Sequence, residues 1–176
     1  MGDAKRLRKA PTEPDTVALN SQLVGNVGLY YCCYRLSLLG WNVMPTARNA
    51  RGVDIIAYNK DASQFKGIQV KTLSKHVGVP LGRSIDNLMG DFWVVVVKAK
   101  PSSPESFVLT PEEVKERALR QVSKENGTVS FWLSRNEYNV DQFRDAWSRI
   151  GTERIPGGTP GRSQRRRRPS AMHGPP

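Results

Sequence analysis

An unbroken apolar run at residues 92–97, Phe-Trp-Val-Val-Val-Val, constrains the fold of this chain more than any other feature. Successive residues of a β-strand point to opposite faces of the sheet. A strand without polar positions therefore needs an apolar cover on both of its faces. The run predicts a central strand inside a layered domain.

The segments around this strand have helical or extended patterns. Ser21 to Leu39 has apolar residues at helical spacing and is followed by Gly40, whereas Pro111 with acidic residues behind it opens a helix to about Glu125. We predict other strands at 41–45, 53–59, 65–73, 106–110 and 128–133, a glycine-rich loop at 76–91, and a last helix at 140–150. This order indicates an α/β fold with a mixed β-sheet flanked by helices.

The two ends of the chain differ from its middle. Residues 21–150 hold the apolar patterning and are predicted to form one domain, preceded by a flexible N-terminal arm at 1–20. Residues 151–176 are predicted to be a disordered basic tail, because their little apolar area cannot offset the ordering entropy. The 176 residues include 27 Lys+Arg and 16 Asp+Glu, a net charge of +11. Such a charge favours polyanionic partners, nucleic acid above all.

Composition argues against several other classes of protein. No apolar run is long enough for a membrane span, and the charged first residues lack the apolar core of a secretory signal. The only cysteines, Cys32 and Cys33, are adjacent, which disfavours a disulfide and predicts a reducing, cytoplasmic compartment. Two histidines, His76 and His173, are too few for a His-rich metal centre.

The residues best suited to chemistry lie in two strands. Asp54 interrupts the apolar run Gly-Val-Asp-Ile-Ile at 52–56, and Gln69 and Lys71 lie in Gly-Ile-Gln-Val-Lys-Thr at 67–72. A hairpin centred on residues 60–63 sets Asp54 opposite Gln69, with Lys71 on the same sheet face. Carboxylate and amide oxygens can bind a hard cation such as Mg²⁺, and a lysine beside it can orient water. The alternative is a structural Asp54–Lys71 ion pair with a surface Gln69.

This arrangement resembles the core of the PD-(D/E)XK nuclease superfamily, in the variant where glutamine replaces the second acid, as in Mrr-type restriction nucleases. The preceding helix, from Val24-Gly25-Asn26-Val27-Gly28 to Gly40-Trp41, is similar to the first helix of archaeal Holliday junction resolvases. The likeness covers roughly residues 21–100. It implies a restriction-endonuclease-like sheet and a metal-dependent endonuclease that hydrolyses DNA. It also implies Asp54, Gln69 and Lys71 as catalytic residues, with Asp54 and Gln69 as ligands of Mg²⁺ or Mn²⁺.

The chain departs from the family at its first helix. Family members often have a glutamate there, whereas Leu29 and Asn26 take its place in this sequence. Asp86 or Asp91 could supply a second acid from the loop. Because of this departure, the chain could instead be a catalytically degenerate module that only binds nucleic acid. A role in protein interaction, without nucleic acid, is a third alternative. We expect a homodimer in the nuclease and the binding interpretations, because duplex substrates have two strands.

The sequence also predicts roles for several basic residues and for three tyrosines. Arg48, Arg51, Lys75 and Arg83 flank the predicted site and would line a DNA cleft, unless they are ordinary surface charges. The consecutive residues Arg165, Arg166, Arg167 and Arg168 would add affinity without reading sequence, unless the tail is only a solvated terminus. The apolar helix predicts core positions for Tyr30, Tyr31 and Tyr34.

Overall fold

The computed structural model describes residues 20–46, 52–99 and 104–152, which form an α/β fold with two sheets. The larger sheet is mixed, with strand order β1-β2-β3-β5-β6, and the smaller is antiparallel, with order β4-β8-β7. The elements are α1 (Ser21–Leu38), β1 (Asn42–Pro45), β2 (Ile55–Tyr58), β3 (Phe65–Thr72), β4 (Val79–Gly82), β5 (Phe92–Val97), β6 (Glu105–Leu109), α2 (Pro111–Glu116), β7 (Ala118–Val122), β8 (Val129–Leu133), α3 (Arg135–Tyr138) and a 3₁₀ turn (Trp147–Ile150).

Helix α1 covers one face of the larger sheet. The Asn20 side chain caps it by accepting a hydrogen bond from the Leu23 N–H, at 2.9 Å. Its buried residues recur every four positions, as a helix packed on a sheet requires: Val24, Gly28, Cys32 and Leu36. Gly28 lies so close to β3 that a Cβ atom there would be 2.7 Å from Thr72 Cγ2. The helix thus contacts the strand that holds Gln69 and Lys71.

Strand β5 separates two apolar clusters, which confirms the predicted central strand covered on both faces. Val94 and Val96 point into the cluster beneath α1, with Ile55, Ile68 and Trp147. The alternate residues of the strand point into the second cluster, against Phe107, Tyr138 and other residues of the C-terminal half: Trp93, Val95 and Val97. The strand pairs in parallel with β3 and antiparallel with β6.

The smaller sheet contains two departures from the prediction. The predicted helix from Pro111 starts correctly, with a capping box between Thr110 and Glu113, but it ends at Glu116. The next residues form β7, because hydrogen bonding to β8 overrides their helical propensity. The predicted loop at 76–91 likewise contains β4, which pairs with the other edge of β8. Of the second sheet, only β8 was predicted, as the strand at 128–133, and its two partner strands were missed.

The predicted helix at 140–150 is also wrong. Phe143, Trp147 and Ile150 are buried at the expected helical spacing, but Asp145 has a φ of +46° and interrupts any helix. The backbone instead follows β6: the Val108 N–H donates to the Phe143 carbonyl, and the Asp145 N–H donates to the Ser106 carbonyl. After β8, the described residues are helical only in α3 and in the 3₁₀ turn.

Two predicted core tyrosines are exposed. Tyr30 and Tyr34 have 63% and 60% of their surfaces open to solvent, whereas Tyr31 is half-buried against Trp147. The sheet covers only one side of α1, so apolar residues on the other side have no cover among the described residues. No helix in the described part of the chain is long and apolar enough to cross a membrane.

Candidate functional site

The predicted pairing of the β2–β3 hairpin is observed. Ile55 lies opposite Ile68 and Ile56 opposite Gly67, without a bulge, so Asp54 is next in register with Gln69. Asp54 stands immediately before β2, and its backbone remains within the sheet. Its N–H donates to the Ile68 carbonyl and its carbonyl accepts from the Thr46 N–H, both at 2.9 Å. These bonds fix the position from which the carboxylate projects.

The Asp54 carboxylate bonds to β3 through one oxygen. Oδ2 accepts hydrogen bonds from the Val70 N–H, at 2.7 Å, and from the Gln69 side-chain amide. Gln69 is only 8% exposed, and Asp54 is half-buried. Because the amide donates its N–H to the acid, its carbonyl oxygen stays free to accept or to bind a cation. Within the described residues, Asp54 Oδ1 receives no hydrogen bond.

Lys71 follows on the same face of β3. Val70 and Ile68 point into the cluster beneath α1, so Gln69 and Lys71 point to the opposite face. The Lys71 ammonium lies over the indole of Trp93, with Nζ 5.4 Å from the ring centroid. Trp93 is the residue directly paired with Gln69 on β5. A half-buried ammonium thus shares this face with the acid and the amide.

The structural alternative, an Asp54–Lys71 ion pair, is absent from the described part of the chain. The Asp54 carboxylate instead accepts hydrogen bonds from Gln69 and from the Val70 N–H. Gln69 is buried rather than a surface residue. An ammonium without an ion-pair partner in the described residues is available to an anion that enters this face.

The two loop acids that could supply a second carboxylate bond to donors near them. Asp91 Oδ2 accepts a hydrogen bond from the Gly67 N–H at 2.6 Å, and Asp86 bonds to Ser84 Oγ at 2.9 Å. In the described ranges, no three His, Cys, Asp or Glu residues cluster as a metal site would need. The available donors are the Asp54 carboxylate and neutral oxygens such as that of Gln69. This set suits a hard cation chemically, but its single negative charge predicts weak binding of the metal alone.

The predicted DNA-contacting residues fall into two groups. Lys75 and Arg83 are exposed, one after β3 and the other after β4, and neither bonds to the three site residues. The remaining six lie outside the described residues: Arg48, Arg51, Arg165, Arg166, Arg167 and Arg168.

Sequence reasoning missed a charged cluster around Glu105, at the far end of β5 from Trp93. The Glu105 carboxylate bonds to Lys98 and to Arg144, the latter at 2.7 Å, and His76 Nε2 lies 3.4 Å away. The hydrogen bond from Lys98, supported by Arg144, lowers the pKa of Glu105 to about 2. No spacing in the sequence indicates this cluster, because its four members come from four separate segments.

Trp93 was also missed as a contact of Lys71. It was predicted only as part of an apolar run, and the parallel pairing of β3 with β5 brings it beside the site.

No family model, curated protein or solved structure matches this chain.

Proposed function

We propose that this protein is a metal-dependent nuclease that hydrolyses DNA phosphodiesters on a restriction-endonuclease-like fold. The proposal rests on one observation: Asp54, Gln69 and Lys71 share the sheet face opposite α1, with the acid bonded to the amide and the ammonium unpaired. Two of these side chains are half-buried and Gln69 is almost fully buried. Partly desolvated charges act more strongly on a bound phosphate than surface charges do.

Each residue has a distinct role in the proposed reaction. Asp54 and Gln69 would hold Mg²⁺ or Mn²⁺, because the acid has one oxygen without a partner and the amide has its carbonyl oxygen free. The cation, when bound, polarises the phosphate and lowers the pKa of water. Lys71 orients the attacking water and offsets the charge that develops on the phosphate. Water adds to phosphorus and one P–O ester bond breaks, leaving a phosphate monoester and a hydroxyl.

Cleavage assays with matched variants test the proposal. Plasmid, linear and branched DNA are incubated with the full chain and Mg²⁺ or Mn²⁺, and the rates are compared for wild type, Lys71→Ala and Asp54→Asn. The asparagine keeps an oxygen that can accept from the Val70 N–H, so folding is preserved. We expect each variant to lose about 10²–10³-fold in rate.

Lys66→Ala serves as the control, because Lys66 lies on the same strand but on the face of Ile68 and Val70. It should cleave at the wild-type rate. Equal inertness of wild type and Lys71→Ala on all three substrates would contradict the nuclease proposal.

The lone carboxylate of the site favours a second candidate, a catalytically degenerate module that binds nucleic acid without cutting it. In this case the net charge of +11 supplies most of the attraction to nucleic acid, and the affinity for nucleic acid falls steeply as the salt concentration rises. Four neutral residues in place of Arg165–Arg168 should reduce the slope of log K against log salt by up to about 3.6, if each arginine meets one phosphate of duplex DNA. A salt-independent affinity of the wild type would reject this candidate.

We also propose a homodimer that pairs through α1. Four large side chains along the helix are substantially exposed: Leu23, Tyr30, Tyr34 and Leu38. The one charged residue of α1, Arg35, is directed to Asp145 and to the Trp147 ring. An uncharged stripe is the surface on which two strongly basic copies repel each other least. Sedimentation should give a dimer for wild type and a monomer for Tyr34→Glu, and a monomeric wild type would exclude it.

The state of the two cysteine thiols is relevant to the cellular compartment of the protein. Cys32 and Cys33 are both free, which agrees with the cytoplasmic location that we propose.

A further inference from the structure

A pocket of about 330 Å³ opens on the smaller sheet, whereas Asp54, Gln69 and Lys71 belong to the larger sheet. Its floor is formed by Trp132 of β8 and Leu119 of β7, which lie directly opposite each other in the ladder. The other lining residues are Gly78, Gln121, Ser134 and Arg135. None of these six is acidic, and the proposed nuclease chemistry uses none of them.

The indole of Trp132 is the central feature of this pocket. Its N–H donates to Ser130 Oγ at 3.1 Å, so the polar edge of the ring is satisfied within its own strand. Gly78 stands beside the ring: a Cβ there would lie 3.6 Å from Trp132 Cε3. A side chain at position 78 would therefore rest on the indole, and the glycine leaves that part of the ring uncovered. Leu119, beside it, is 49% exposed.

Polar groups without partners surround this apolar floor. Among the described residues, the side chains of Gln121 and Arg135 make no hydrogen bond or ion pair, and Ser134 does not cap α3 with its hydroxyl. The pocket thus combines an aromatic ring, an amide, a hydroxyl and a guanidinium. A flat aromatic ligand that carries a negative charge complements this set, since rings stack on tryptophan and a phosphate pairs with arginine.

We propose that this pocket binds an unpaired nucleobase of a single-stranded nucleic acid, stacked on Trp132 with a neighbouring phosphate at Arg135. A base inside a duplex cannot offer its face to the indole, so the pocket distinguishes single strands from duplexes. This inference goes beyond the proposed hydrolysis and does not depend on it. A protein that only binds nucleic acid could use the pocket in the same way.

Tryptophan fluorescence isolates the site in the unmodified chain. Trp41, Trp93 and Trp147 are 3–4% exposed, and Trp132 alone of the four tryptophans is half-buried. The full chain is titrated, in buffer with a metal chelator, with an oligothymidylate of about eight nucleotides, within the length that single-strand binding sites span. We expect quenching by the single strand and none by a duplex of equal length. Equal quenching by both would overturn the proposal.

Affinities of variants give a second readout, by anisotropy of a labelled oligonucleotide. Trp132→Leu removes the ring, and Gly78→Val covers it while keeping the tryptophan, so a folding defect in one variant does not decide the result. Each should bind about 5- to 150-fold more weakly, the range for one stacked base. Trp132→Phe should retain most of the affinity.

An abasic strand of equal charge separates stacking from simple attraction. It should bind wild type as weakly as the intact strand binds Trp132→Leu. Unchanged affinity in both Trp132→Leu and Gly78→Val, or equal binding of the abasic and intact strands by wild type, would refute base stacking in this pocket. Asp54→Asn, which we expect to cleave about 10²–10³-fold more slowly, should bind the single strand with wild-type affinity, and this result would distinguish the pocket from the proposed nuclease site.

Discussion

Two glycines on α1 allow a matched test of how closely the helix contacts β3. At Gly28 a Cβ would collide with the Thr72 hydroxyl oxygen and lie 2.7 Å from Thr72 Cγ2, whereas at Gly25 nothing lies within 4 Å apart from the helix's own backbone and the adjacent residues. Both glycines are inside the helix, so alanine improves intrinsic helix propensity by about 1 kcal/mol at either position. The propensity gain therefore cancels when the two alanine variants are compared.

The remaining difference in the free energy of unfolding between the two variants measures the contact between position 28 and Thr72. A Cβ at position 28 collides first with the Thr72 hydroxyl oxygen and also with Cγ2 and Cβ of the same short side chain, so Thr72 or the helix must move. Forced overpacking of this kind costs about 1–3 kcal/mol. Gly25→Ala should be about 1 kcal/mol more stable than wild type. Gly28→Ala should be about 1–3 kcal/mol less stable than Gly25→Ala.

Urea unfolding measures both free energies, and a double variant adds a check. Thr72→Ala removes the hydroxyl and methyl groups that face Gly28, so it should recover part of the loss in the Gly28→Ala background and show coupling between the sites. If Gly28→Ala were as stable as Gly25→Ala, α1 could not lie as close to β3 as the structure places it.

Two further predictions follow from the titratable groups. Because Lys98 and Arg144 lower the pKa of Glu105 from 4.5 to about 2, its stabilising effect is complete above pH 4.5 and is lost as the pH falls towards 2. The excess stability of wild type over Glu105→Gln, measured by unfolding against pH, should shrink across that interval, and a constant difference would contradict the assignment. Burial raises the pKa of the Cys32 thiol strongly and also raises that of Cys33, which is half-buried. Timed alkylation followed by mass spectrometry should therefore modify Cys33 before Cys32 in the folded chain, and fast reaction of native Cys32 would argue against its buried position.

The sequence was most informative where local pattern and tertiary pairing agree. The apolar run at 92–97 became the central strand β5, and the spacing between Asp54 and Gln69 gave the register of the hairpin. A short hairpin leaves few possible pairings, and alternation of faces then orients the side chains. The shared face of Asp54, Gln69 and Lys71 could be predicted for this reason.

Two of the three strands of the smaller sheet, β4 and β7, could not be predicted because they gain their structure from distant partners, whereas β8 was predicted. Ala118–Val122 has no apolar alternation strong enough to exclude a helix, and it becomes β7 only beside β8. The short strand β4 lies in a glycine-rich stretch and pairs with residues about fifty positions away. The closeness of Lys71 to Trp93 likewise depends on parallel pairing between β3 and β5, which local sequence does not specify.

The position of β5 between the two apolar clusters has a consequence for how the chain can be divided. Cutting the protein after β3, or expressing either half alone, would expose apolar side chains to water on one side of the remaining strands. The surface that holds Asp54 and the pocket lined by Trp132 therefore belong to one cooperative folding unit. Neither site could be transferred to another protein alone, because each depends on strands that are packed into the shared apolar clusters.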